Sequence, residues 1–231
     1  RLPQRLLASV EASDFHDAAR LKIALAQREL DQDSLAVASL AGLAKVGRDR
    51  RKVFEGQLTA AEILLEQHRL AECTTLLEEL EPVAENFQSR APVLLLKARV
   101  SEAEERYDEA LTQLENVATE FPKSNPAAEA WYRIGLIRQN RQGDLAQAIQ
   151  AYEQATKEVP RSLFGDLAAN KRRAAQEFID VQARFGAMPA DSLGAEREGL
   201  QFRLAENQFL RLENPQNAQT EYARLLAEHP D

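Results

Sequence analysis

Three stretches of the chain share one spacing. From Ala148, Tyr152 follows at plus four, Ala155 at plus seven and Pro160 at plus twelve. Ala110 is followed by Leu114, Val117 and Pro122 at the same offsets, and Ala218 by Tyr222, Leu225 and Pro230. Pro122 to Pro160 is 38 residues, and Pro160 to Pro230 is 70, two periods of 35. A period of this length means stacked helical hairpins, each too small to bury its own apolar face and completed by its neighbour.

The residues at those positions explain the spacing. Small side chains such as Ala148 and Ala155 let two helices approach, large ones such as Tyr152 fill the gap between hairpins, and Pro160 stops the second helix because it lacks an N–H. The helix before carries the complementary half: Trp131, Ile134 and Gly135 stand at i, i+3 and i+4. Leu204 with Ala205, and Leu25 with Ala26, take the places of Ile134 and Gly135. Composition agrees with an all-helical chain. Strong helix formers dominate its 231 residues, and Gly and Pro number nine each.

Arrayed this way, residues 125–162 resemble the tetratricopeptide repeat, whose pattern is W-x2-L-G-x2-Y, then A-x3-F, then A and P. Arg138 stands where that pattern has an aromatic residue, and one extra residue precedes Gly143. The resemblance implies an all-α fold, an α-solenoid forming a right-handed superhelix of antiparallel helix pairs. The whole of 1–231 is expected to be one array fragment: degenerate repeats over 1–52 and 53–90, a repeat over 91–124, the best match over 125–162, an irregular repeat over 163–195 and a C-terminal repeat over 196–231. Helices are expected over 21–30, 35–46, 53–67, 70–80, 93–104, 107–120, 128–140, 145–158, 165–184, 199–212 and 217–228. Gly186, Pro189 and Gly194 predict a loop around 186–191 in place of a regular helix.

Chemistry is sparse in the sequence. His16, His68 and His229 have no ligand partners at metal spacing, and the adjacent carboxylates Glu78–Glu79 and Glu104–Glu105 do not face each other on a helix. No phosphate-binding glycine loop or G-x-S-x-G elbow occurs. Cys73 falls at the position equivalent to Ala148 and is expected to be a buried small residue. The chain therefore reads as no enzyme, with no catalytic or metal residues and no cofactor. Net charge −8 argues against nucleic acid as a partner, and no apolar stretch approaches the ~20 residues of a membrane span. The chain begins at Arg1 and ends as a repeat finishes, so both ends read as cuts, with any signal peptide or lipid anchor expected outside them.

The resemblance also implies a function. Members of the family are binding scaffolds whose first helices line a concave groove for a protein or peptide partner. Mapped residue by residue, the groove positions are Glu62, Leu95, Arg99, Glu102, Tyr132, Leu136, Gln139, Lys171 and Phe202, with Arg99, Tyr132 and Lys171 expected to point into it from successive first helices. The Lys and Asn set that clamps a terminal carboxylate in peptide-binding members is replaced here by Glu62, Arg99 and Leu136. The connectors "FPKSN" and "VPRSL" put Ser two residues after Pro. This form is similar to repeats of bacterial cell-envelope proteins, such as outer-membrane assembly lipoproteins and the partner of the Tol–Pal system. It implies a periplasmic or outer-membrane-associated scaffold. A cytoplasmic scaffold or regulatory domain, or an accessory domain of a larger enzyme, are the alternatives, and a homo-oligomer stays open.

Overall fold

The computed structural model describes residues 2–188 and 195–228, with side chains over 15–188 and 196–228. The described residues are α-helical with no strand. Contacts divide the chain into two compact units, Arg1–Gln113 and Leu114–Asp231.

The first unit holds α1 (Leu2–Glu29), α2 (Asp33–Val46), α3 (Arg50–Glu66), α4 (Leu70–Leu80), a one-turn 3-10 helix (Glu81–Val83) and α5 (Phe87–Ala103). Sequential helices pack as hairpins, and the first helices also meet each other, α1 against α3 and α3 against α5. The division falls within α6 (Tyr107–Glu120). The second unit continues with α7 (Asn125–Asn140), α8 (Leu145–Glu158), α9 (Leu163–Ala187), α10 (Ala195–Glu206), a π-turn (Asn207–Arg211) and α11 (Pro215–Glu228). Here α7 packs on α8 and also on α9.

The hairpin turns show a periodicity that residue types had hidden. Positive φ occurs at Asp31, His68, Glu105, Gly143 and Glu213, between 54° and 67°. Residues 31 and 68 are 37 apart, as are 68 and 105. Five positions after each comes a small buried residue, namely Ala36, Cys73, Ala110, Ala148 and Ala218. In the first three turns a main-chain bond closes around the left-handed residue, from Gln32, Arg69 and Arg106 N–H to the carbonyls of Gln27, Leu64 and Ser101 at 2.8, 2.9 and 2.9 Å. Such bonds satisfy carbonyls that the ending helix leaves open. The extra residue before Gly143 widens the fourth turn, where Asp144 N–H reaches Arg138 O at 2.9 Å.

Several helix starts are capped by side chains. Asp49 accepts from Arg51 and Lys52 N–H, and Asp144 from Gln147 N–H. Ser124 and Ser162, the serines of the two connectors, accept from Ala127 N–H at 3.2 Å and Gly165 N–H at 3.1 Å. Before each serine stands a residue with positive φ, Lys123 or Arg161. The Pro-x-Ser connector is thus a helix stop, a left-handed residue and an N-cap in sequence.

Several boundaries differ from expectation. The helix of 93–104 begins earlier, at Phe87, because Asn86 and Ser89 form a reciprocal capping box ahead of Pro92. The helix of 165–184 continues through Gly186 to Ala187, its Phe185 buried against Leu200 and Leu204; that packing outweighs the ~1 kcal/mol helix cost of one Gly. The rest of the expected loop, 189–191, lies outside the described residues, and α10 starts four residues before Gly199. In α1, Leu21 and Ala24 are buried while Ala26 is exposed, so the inward face there is not the one that Leu25 and Ala26 suggested.

The 125–162 hairpin packs as its spacing requires. Ala148, Tyr152, Ala155 and Ala168 form one fully buried cluster, with Trp131 half-buried against it. A Cβ on Gly135 would lie 2.3 Å from Cε1 of Tyr152. Gly135→Ala is therefore expected to destabilise the protein by about 1–3 kcal/mol through overpacking, against ~1 kcal/mol gained in helix propensity. Denaturant titration checks this. A more stable variant would mean that the Tyr152 ring can step aside.

Candidate partner-binding surface

The groove positions of the first unit lie on α3 and α5. Glu62 is half-buried and accepts from Arg28 Nη1 of α1 at 3.3 Å, while Arg28 Nη2 holds Glu66 at 2.8 Å. Leu95 is buried, at 7 % exposure, and contributes to the core rather than to an open surface. Arg99 and Glu102, one and two turns further along α5, are half-buried.

On α7, Tyr132, Leu136 and Gln139 share a face at i, i+4 and i+7. Tyr132 is half-buried, its ring centroid 6.0 Å from Tyr152 and 5.8 Å from Phe164. Burial pushes its phenol above the usual range, and the Glu213 carboxylate pushes the same way. Leu136 packs on the Ala148–Tyr152 cluster. On α10, Phe202 is exposed and stacks edge-on against Tyr222 at 5.9 Å.

Two expected groove residues are instead internal fasteners. Gln139 is 3 % exposed, with Nε2 donating to Leu212 O at 2.9 Å and Oε1 accepting from the Tyr152 hydroxyl at 2.9 Å. Lys171 is 5 % exposed, donates to Arg211 O at 3.1 Å and pairs with Glu213 at 3.1 Å. Both reach the segment that leaves α10 through the π-turn. Glu177 of α9 also pairs with Arg211 and Arg203. Lys171 is thus no groove cation; a folded-back stretch 40 residues later covers it.

The reactive groups are quiet. Cys73 is fully buried, its thiol donating to Ala61 O at 3.2 Å. Burial pushes its pKa up to about 11, with the Arg99 charge working weakly against it, so little thiolate exists near neutral pH. Among the described residues no cluster of His, Cys, Asp and Glu could hold a metal ion, and no helix is long and apolar enough to cross a membrane.

The residue-level reading missed a polar cleft in the second unit, of about 270 Å³, bounded by α8, α9, the π-turn and α11. Gln139, Gln182, Gln208, Asn214 and Asn217 line it. A signal was present: Asn207, Gln208, Asn214, Gln216, Asn217 and Gln219 crowd carboxamides into 13 positions.

The family model for the tetratricopeptide repeat matches residues 129–162 and 200–231. Over 92 % of its length the chain superposes on a tetratricopeptide repeat protein from Parabacteroides merdae ATCC 43184, with a TM-score of 0.53, 16 % identity and 79 % of that chain covered. It is also similar to BtubC (BKLC) from P. vanneervenii, with a TM-score of 0.52, 15 % identity, and 86 % of this chain and 89 % of that chain covered. None of the curated proteins matches the sequence. At these identities the two structures speak for the fold, an all-α array of helix pairs. The two matched segments are similar to tetratricopeptide repeats, which suggest a protein–protein interaction scaffold.

Proposed function

We propose that the chain is a non-enzymatic scaffold that holds a protein or peptide partner on the first-helix faces of its hairpins. The observation that carries this reading is the mutual packing of successive first helices, α1–α3–α5 in one unit and α7–α9 in the other, which sets their remaining faces side by side. Each unit offers its own anchor, Arg99 on α5 of the first and Tyr132 on α7 of the second, because interface energy concentrates in aromatic and Arg side chains. Lys171 is excluded by its burial. The test is affinity purification from native cells, followed by titration of the enriched partner. The Arg99→Ala, Tyr132→Ala double variant should bind at least ~10-fold more weakly, or ~1.4 kcal/mol, with helicity unchanged by circular dichroism. Unchanged affinity would remove both residues from the interface.

An envelope location is the finer part of the proposal, and it rests on the Pro-x-Ser connector. Since Ser124 and Ser162 also act as ordinary N-caps, fractionation of native cells decides it. Recovery with the cytosol would exclude the envelope.

A further inference from the structure

We propose that the cleft between α9 and α11 is a second binding site, which takes a short extended peptide segment bearing a Lys or Arg side chain. The proposal rests on the scaffold reading but uses a different surface. The groove anchor on α7 is Tyr132, whereas this cleft joins Gln139 of that helix to α9, the π-turn and α11, the second helix of the last hairpin.

The cleft has an apolar floor, Leu145 against Phe178, and a polar wall of Gln182, Gln208, Asn217 and Glu221. Gln208 is the telling residue. It is 7 % exposed, yet its carboxamide makes no hydrogen bond to any described residue, and it lines the cavity. Its amide atoms keep contact with the cleft's solvent rather than being sealed off, so they are open to a ligand or an ordered water. Its neighbour Asn207, 6 % exposed with neither amide atom partnered, does not line the cleft. Both residues sit in the π-turn, which inserts a residue into the helical path and re-aims the side chains that follow; such bulges recur at functional sites.

The lining also selects the ligand. A carboxamide presents an acceptor and two donors, the complement of a peptide group. Three of them, on Gln182, Gln208 and Asn217, can pair with successive main-chain amides. No Lys or Arg lines the cleft, and Glu221, half-buried at its edge, makes no salt bridge to any described residue. Phosphates and carboxylates are thereby disfavoured and a cation is favoured, in keeping with the chain's net charge of −8. A volume of about 270 Å³ is at the small end for ligand sites, enough for roughly two or three residues.

The test is a nitrogen–proton NMR titration of the whole chain with acetyl-Ala-Lys-Ala-amide and acetyl-Ala-Glu-Ala-amide. The Lys peptide should shift the side-chain amide signals of Gln182, Gln208 and Asn217 saturably, with a Kd on the order of 1 mM, and the Glu peptide should not. Glu221→Gln, at the edge of the cleft, and Gln208→Met, of similar volume, should each weaken binding at least ~5-fold, about 1 kcal/mol. Equal shifts with both peptides, or no movement of the three signals, would overturn the site. The two readings fail separately. A captured partner that binds Gln208→Met and Glu221→Gln as tightly as wild type, yet is lost with Arg99 and Tyr132, removes the cleft and leaves the scaffold. Lys-peptide binding that persists in the Arg99, Tyr132 variant supports the cleft as an independent site.

Discussion

Ala148→Glu should unfold the 125–162 hairpin and with it much of the second unit. Ala148 has no exposed surface, and Tyr152, Ala155 and Ala168 around it are equally buried. The added side chain must displace packed atoms, at about 1–3 kcal/mol, and its charge would be stranded without water, at several kcal/mol more. Against a total stability of roughly 5–15 kcal/mol, that loss is ruinous. Ala148→Gln separates bulk from charge and should do less harm. Thermal melts followed by far-ultraviolet circular dichroism give the answer. A glutamate variant melting within about one degree of wild type would mean that position 148 does not face the helix contact.

The second large effect concerns Asp17 on α1. Its carboxylate accepts from the N–H groups of Arg48 at 2.6 Å and Asp49 at 3.0 Å, with Arg20 at 3.2 Å. The bonds to Asp49 and Arg48, aided by the Arg20 charge and opposed by burial, hold the carboxyl below its ordinary 3.8. One side chain thus ties α1 to the turn that starts α3, more than 30 residues away. Asp17→Ala should cost about 2–3 kcal/mol at pH 7, the scale of charge-assisted bonds lost from buried donors. Because the folded pKa is depressed, the stabilisation is fully present above the unfolded pKa and fades as pH falls through the folded value. The gap between wild type and variant should therefore begin to narrow as pH falls below about 4, the unfolded value, and go on closing as pH falls through the lower folded value. Denaturant midpoints at pH 7 and pH 3 measure this, and a gap of equal size at both would refute the carboxylate's role.

Local chemistry explains what could be read from the sequence. Ala148, Tyr152, Ala155 and Pro160 obey helix geometry within one hairpin, so their spacing gave the helices and the buried face correctly. The turns were harder, because Asp31, His68, Glu105 and Glu213 adopt left-handed backbone without being Gly; what they share is a place in the packing, five residues before a small buried side chain. The candidate groove failed at Gln139 and Lys171 for a longer-range reason. Motif register tells which way a side chain leaves its helix, but not that residues 207–214 return through a π-turn to cover it. Asp17 is a similar case, since nothing near it in sequence marks a partner at 48 and 49.

The attachment of that returning segment bears on how the chain can vary over evolution. Gln139 and Lys171 grip the main-chain carbonyls of Leu212 and Arg211, not their side chains. A carbonyl is present whatever residue carries it, so these two bonds do not depend on the identity of position 211, although the Arg211 side chain adds its own pair with Glu177. They are acutely sensitive to the count of residues between Asn207 and Leu212. Losing or gaining one would rotate both carbonyls away from the Lys171 ammonium and the Gln139 carboxamide. Substitution at position 211 would leave both main-chain bonds in place, whereas an insertion or deletion across 207–212 would break them.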